Sequence, residues 1–204
     1  MTPVTDEAAA EAIAAQQGRQ LPFGWGSLAL CSDTRDFVTR YMRLGLRPVL
    51  LFGANALGKC DCGDAHRLTA DIGRHPVADV AALGAVAIDC VLTRNWRHGV
   101  GLRMGRQPNG MRLVAIDANG PREALRPLEA RLGALPPTLT AQSDRTCCLI
   151  FRLSADAELP VNGAKLAPGV TIKAEGGVVI VAPSRHVQGR TYRWSDAREP
   201  AVLP

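Results

Sequence analysis

The stretch Val170-Thr171-Ile172-Lys173-Ala174-Glu175-Gly176-Gly177-Val178-Val179-Ile180-Val181-Ala182-Pro183-Ser184 decides how the chain is read. Residues 170–174 and 178–181 are rich in the β-branched side chains that suit a pleated sheet. The glycine pair between them permits a turn and a close approach of backbone. Two strands are therefore expected, and working outward from them the C-terminal half reads mainly as β. Residues 138–141 and 147–153 are further strands, a loop surrounds residues 160–168, and a tail follows with Tyr192 and Trp194.

Toward the N-terminus the pattern mixes. Residues 99–104 and 113–116 read as a hairpin around the turn Gln107-Pro108-Asn109-Gly110. A helix is predicted from Pro121, with Leu125, Leu128 and Leu132 along one face, Gly133 after its end, and Pro127 kinking its first turns. Residues 76–96 carry helix-like apolar spacing and read as one helix or two. A third helix is capped by Ser32 or Asp33, places Phe37, Tyr41 and Leu44 at spacings of four and three, and ends at Gly45 before a strand at 48–52. Residues 5–17 form a capped, Ala-rich helix of little apolar mass. This order predicts an α+β domain with a mixed, largely antiparallel sheet and packed helices.

The chain has 204 residues and 47% apolar content, enough for one such domain and too little for two separate cores. Residues 1–31 are read as an N-terminal extension, 32–197 as the domain and 198–204 as a tail. No apolar run approaches the ~20 residues of a membrane span, and the N-terminus is not a secretory signal, so a cytoplasmic protein with no membrane partner is expected. The six cysteines are expected to be thiols or metal ligands rather than disulfides. Of the 24 Lys and Arg behind the formal charge of +5, only Lys59, Lys165 and Lys173 are lysines. Arginine's planar fork suits phosphate and nucleic acid. A GC-rich genome gives the same bias, and the positive charges are spread along the chain rather than gathered in a patch.

Leu113-Val114-Ala115-Ile116 runs into Asp117-Ala118-Asn119 and then a helix. Side chains two apart on an extended chain share a face, so Asp117 and Asn119 could offer two oxygens to a divalent metal. Nucleotidyl transfer uses such metals to orient a triphosphate. The other reading of Asp117 is a turn or helix-capping residue. Arg145, Lys173, Ser184, Arg185 and His186 either face a phosphate or are solvated strand ends and a chain turn. Trp25, Trp96 and Trp194 either close the core or stack on bases.

The stretch quoted first continues to His186, Gly189, Tyr192 and Trp194. It is similar to the closing motif of the bacterial and phage bifunctional primase/polymerase family of the archaeo-eukaryotic primase superfamily. There, a strand with an acidic residue, a double-glycine turn, an apolar strand and Pro-Pro-Ser precede Gly-x-x-Tyr-x-Trp. Also similar, in the family's order over about residues 35–195, are the helix-Gly-strand unit before Pro48, the strand with Gly99, Gly101 and Gly105, the Asp117 strand, and Ser143 followed by an apolar strand ending in Phe151-Arg152. The resemblance implies a primase/polymerase domain, with Asp117 and Asn119 at the catalytic metal position and Ser143, Arg145, Lys173, Ser184 and His186 toward the nucleotide.

The departures from that pattern are chemical. The family places two acidic residues where this chain has Asp117 and Asn119, a third where it has Thr171, and a phosphate-contacting histidine where it has Cys148. Three negative charges become one, which weakens the hold on Mg²⁺ or Mn²⁺. Three functions compete: a domain that binds nucleotide or single-stranded DNA with reduced or absent DNA synthesis, an active DNA primase/polymerase in which Glu175 rescues the missing carboxylate, and a non-enzymatic module beside a helicase or replication-initiation partner.

Lys59-Cys60-Asp61-Cys62-Gly63-Asp64-Ala65-His66 and Gly73-Arg74-His75-Pro76 place two Cys and two His in a glycine-rich loop. Cys60, Cys62, His66 and His75 suit tetrahedral, structural Zn²⁺; the alternative is a loop of free thiols and surface histidines. Many members of the resembled family carry Cys-x-Cys, a further Cys and Gly-Lys-His-Pro at this place, and His66 stands near that further cysteine.

Overall fold

In the computed structural model the described residues are 24–53, 59–63, 72, 75–79, 99–185 and 191–204. The helices read at 5–17 and over 80–96, with Cys90 and Trp96, lie outside them. The fold is α+β and its strands pair antiparallel in two sheets, as the order of elements implied. The first sheet has the order β10 (Val178–Val181), β3 (Gly99–Arg103), β1 (Pro48–Leu51), β2 (Pro76–Asp79). The second runs β11 (Arg193–Asp196), β6 (Leu139–Ser143), β7 (Thr146–Arg152), β5 (Arg112–Ala118), β9 (Val170–Lys173), β8 (Lys165–Ala167). The short β4 (Gly105–Arg106) pairs with β5 outside that path. Among the described residues no helix is long and apolar enough to cross a membrane.

Helix α1 (Thr34–Arg43) starts at Asp33, whose carboxylate accepts the Asp36 N–H at 2.9 Å. It ends at Gly45, whose φ of 69° suits glycine. Its buried face, Phe37, Val38, Tyr41 and Met42, joins Leu50, Val100, Leu102, Val179 and Val181 of the first sheet and Leu113, Ala115, Ala141, Cys148 and Ile150 of the second in one core. Each large apolar side chain buried there contributes roughly 1.5–3 kcal/mol. Tyr41 is tied in by polar contacts as well. Its hydroxyl donates to the Ala182 carbonyl at 2.6 Å and accepts the Trp194 indole N–H at 3.0 Å, so Trp194 closes this core.

A second core lies on the opposite face of the second sheet. Val114, Ile116, Ala118, Cys147, Leu149, Phe151, Val170 and Ile172 pack there against Leu125 and Leu128. The alternation of β5 between the two cores is the period-2 pattern of a strand buried on both faces. Two described parts of the outlying segments also pack inward: Leu28, in a 3₁₀ turn at Trp25–Leu30, is buried in the first core, and Ala201 and Leu203 lie against the second.

Three expectations change. The hairpin partner of β5 is β4, not the strand at 99–103, which pairs instead with β1 and β10. Gly105, at φ 98°, turns the chain from one sheet to the other immediately after the buried Met104. Pro76–Asp79 is a strand rather than the start of a helix, because it pairs with β1. The segment after Pro121 is a 3₁₀ turn, Arg122–Leu125, followed by helix α2 (Arg126–Leu132), with Pro127 in the opening turn of α2. Leu125 and Leu128 are buried, while Leu132, the last residue of α2, is 68% exposed.

Candidate functional site

The sheet register builds the site. Asp117 of β5 stands directly opposite Cys148 of β7 on one side and Thr171 of β9 on the other. Thr171 in turn stands opposite Lys165 of β8. Residues directly opposite one another on neighbouring strands share a face, and neighbouring strands lie about 4.8 Å apart. Cys148, Asp117, Thr171 and Lys165 therefore form one row across four strands. Lys173, two residues along β9 from Thr171, lies on the same face.

Two adjoining clefts open over this row, and Asp117 and Thr146 line both. The larger, about 730 Å³, is bordered also by Asn119, Lys165, Gly169 and Thr171. The smaller, about 180 Å³, is bordered also by Cys148, Lys173, Val179 and Tyr192. Asn119 is held at the mouth because its N–H donates to the Gly169 carbonyl at 2.8 Å. Among the described residues, the charged groups lining the two clefts are one carboxylate and two lysines. Burial pushes the Cys148 thiol well up, with the Asp117 charge adding to that and the Lys173 charge opposing it. At neutral pH Cys148 is a protonated thiol and brings no negative charge.

This donor set does not fit a pair of hard divalent cations. Mg²⁺ and Mn²⁺ favour carboxylates and other oxygens. Here one carboxylate is flanked by a threonine hydroxyl, an amide and a buried thiol, with two ammonium groups on the same face. Glu175 is not brought to Asp117. It sits at the opposite end of β9, exposed, and accepts the Arg106 N–H at 3.1 Å. It lies in the turn after β9, four positions along the chain from Thr171, roughly 13 Å at an extended chain's rise.

The remaining expected residues divide. Ser143 is buried and bonds the Thr146 hydroxyl at 2.7 Å, bracing the two-residue turn that carries exposed Arg145 beside the larger cleft's Thr146. Ser184, 3% exposed, spends its hydroxyl on the backbone of β3: it accepts the Val100 N–H at 2.7 Å and donates to the Val100 carbonyl at 2.8 Å. The Ala182–Pro183 peptide before it is cis. His186 lies outside the described residues. Lys165 is the site residue that the sequence reading missed. The one signal for it was composition, since two of the chain's three lysines occupy this face.

A separate group lies where β1 ends and β2 begins. The ligand atoms of Cys60, Cys62 and His75 all fall within 4.8 Å of one another, with Cys60 Sγ 3.1 Å from His75 Nε2. Backbone bonds hold the arrangement: Phe52 N–H donates to the His75 carbonyl at 3.0 Å and Asp61 N–H to the Gly53 carbonyl at 3.0 Å. The Phe52 ring stacks at a tilt on the His75 imidazole. Two sulfurs and an imidazole at these separations fit a borderline-soft ion, and the group could hold a metal. His66 lies outside the described residues. The five described cysteines form no disulfide.

Comparison with known proteins gives one match. The family described as bifunctional DNA primase/polymerase, N-terminal, matches residues 39–204. No curated protein and no solved structure matches the chain.

Proposed function

The chain belongs to the bifunctional DNA primase/polymerase N-terminal family, and from that membership we propose that it is a primase/polymerase-like domain which binds nucleotide or nucleic acid over the Asp117 row with little or no DNA synthesis. Family membership implies contact with nucleotide or DNA. The observation that carries the further step is the cross-strand row itself. Thr171 stands on one side of Asp117, where the resembled pattern has a third carboxylate for metal, and Cys148 on the other, where it has a phosphate-contacting histidine. Asp117 and Asn119 are the remaining oxygen donors at the catalytic position, Lys165 and Lys173 border the clefts where a phosphate would lie, and Arg145 lies beside the larger one. In the same reading Cys60, Cys62 and His75 hold a structural Zn²⁺, with His66 as the fourth ligand.

The test of binding is titration of labelled single-stranded DNA and of a fluorescent deoxynucleoside triphosphate at low salt, where phosphate contacts are strongest. Saturable binding of either, weakened by Lys173→Ala, is the expected result. An absence of binding to both, with the fold intact by circular dichroism, would leave the non-enzymatic scaffold as the better account.

A further inference from the structure

The two lysines of the cleft carry a consequence for how an anion binds there. In a site built for nucleotidyl transfer the carboxylates repel a triphosphate, and divalent metal must neutralise both before they can meet. Here, among the described residues, the charged lining is Asp117 against Lys165 and Lys173, so the row they form is net positive before any metal arrives. Lys165 lies in line with Asp117 through Thr171, and Lys173 lies on the other cleft that Asp117 shares. The two ammonium groups therefore approach Asp117 from different clefts, one bordering each. The Thr171 hydroxyl between Asp117 and Lys165 can donate to a phosphate oxygen, which a carboxylate at that position could not do.

Resting on the proposed function, we infer that this cleft binds the polyphosphate chain of a nucleoside triphosphate without a divalent metal, Lys165 and Lys173 supplying the neutralising charge. An ammonium group bound to phosphate is a point charge with three donors, and loss of one such charge-assisted contact weakens binding about tenfold. Asp117 is then the anionic group among the described lining residues that opposes the ligand. Its role is inverted relative to a metal-dependent site, where the same carboxylate is indispensable.

The experiment is calorimetric titration of zinc-loaded full-length protein with dATP and, in parallel, with inorganic tripolyphosphate, each in MgCl₂ and then in buffer with Mg²⁺ omitted. Expected is an affinity that changes little when Mg²⁺ is removed, falls about tenfold in Lys165→Ala and in Lys173→Ala, and is restored in Lys→Arg variants. Asp117→Asn is expected to bind tighter than wild type. Binding that needs Mg²⁺ and disappears in Asp117→Asn overturns this inference while leaving the proposed function in place. No binding of dATP or tripolyphosphate under either condition, together with no binding of labelled single-stranded DNA at low salt, overturns both.

Discussion

Ser184→Ala separates a structural hydroxyl from a ligand-binding one. Ser184 closes the end of β10 by bonding both backbone groups of Val100, at 2.7 and 2.8 Å, in a site 3% exposed to solvent. Each such bond is worth about 1 kcal/mol net, and a buried N–H left without a partner costs about 1–3 kcal/mol. Alanine removes both bonds and has no polar atom to replace either. The expected destabilisation is about 2–4 kcal/mol. For a domain of this size that lowers Tm by roughly 4–16 °C. The assay is thermal unfolding followed by circular dichroism, paired with dATP titration at a temperature where the variant is folded. The reasoning predicts a large fall in Tm with affinity unchanged. An unmoved Tm together with a tenfold loss of affinity would refute it and return Ser184 to the nucleotide.

Three further outcomes follow from other parts of the molecule. Burial pushes the Cys147 thiol up to about 11 from an ordinary value of 9.0, so its contribution to stability is complete below about pH 9 and is lost as pH rises toward 11; the urea midpoint should therefore fall less steeply over that range in Cys147→Ala than in wild type, and equal slopes would contradict the shift. Purified protein should carry about one equivalent of zinc, and a strong chelator or Cys60→Ser should lower Tm; a metal-free protein indifferent to chelator would remove the zinc assignment. Asn119→Asp combined with Thr171→Asp adds two carboxylates, one of them directly opposite Asp117, where like charges destabilise without metal. That variant should regain Tm on adding Mn²⁺ while zinc-loaded wild type does not, and an equal response in both would show that the native donors already suffice.

What could be read from the sequence depended on how local the physics was. The strands at 170–173 and 178–181 and the helix after Asp33 were legible, because β-branched runs, a glycine turn and a capping carboxylate each act over a few residues. The row through Asp117 was foreseen only as motif positions; that Cys148 and Thr171 are its immediate neighbours is a property of register, which no single strand carries. Lys165 was missed for the same reason. It belongs to a three-residue strand after a glycine-containing loop, and only pairing with Thr171 brings it to the site. The false hairpin arose from the usual adjacency of consecutive strands, which Gly105 defeats by switching sheets. Ser184 reads from sequence either as facing a phosphate or as part of a chain turn; the turn after Val181 directs its hydroxyl inward onto Val100, a contact between distant residues that no local pattern carries.

The most direct test is nucleotide incorporation by the purified protein on a primed and an unprimed template, with Mg²⁺ and separately with Mn²⁺, beside dATP binding by the same preparation. The account predicts saturable binding with little or no extension and no primer synthesis. Robust incorporation that Asp117→Ala abolishes would contradict it, by showing that one carboxylate in this row is enough to run the reaction.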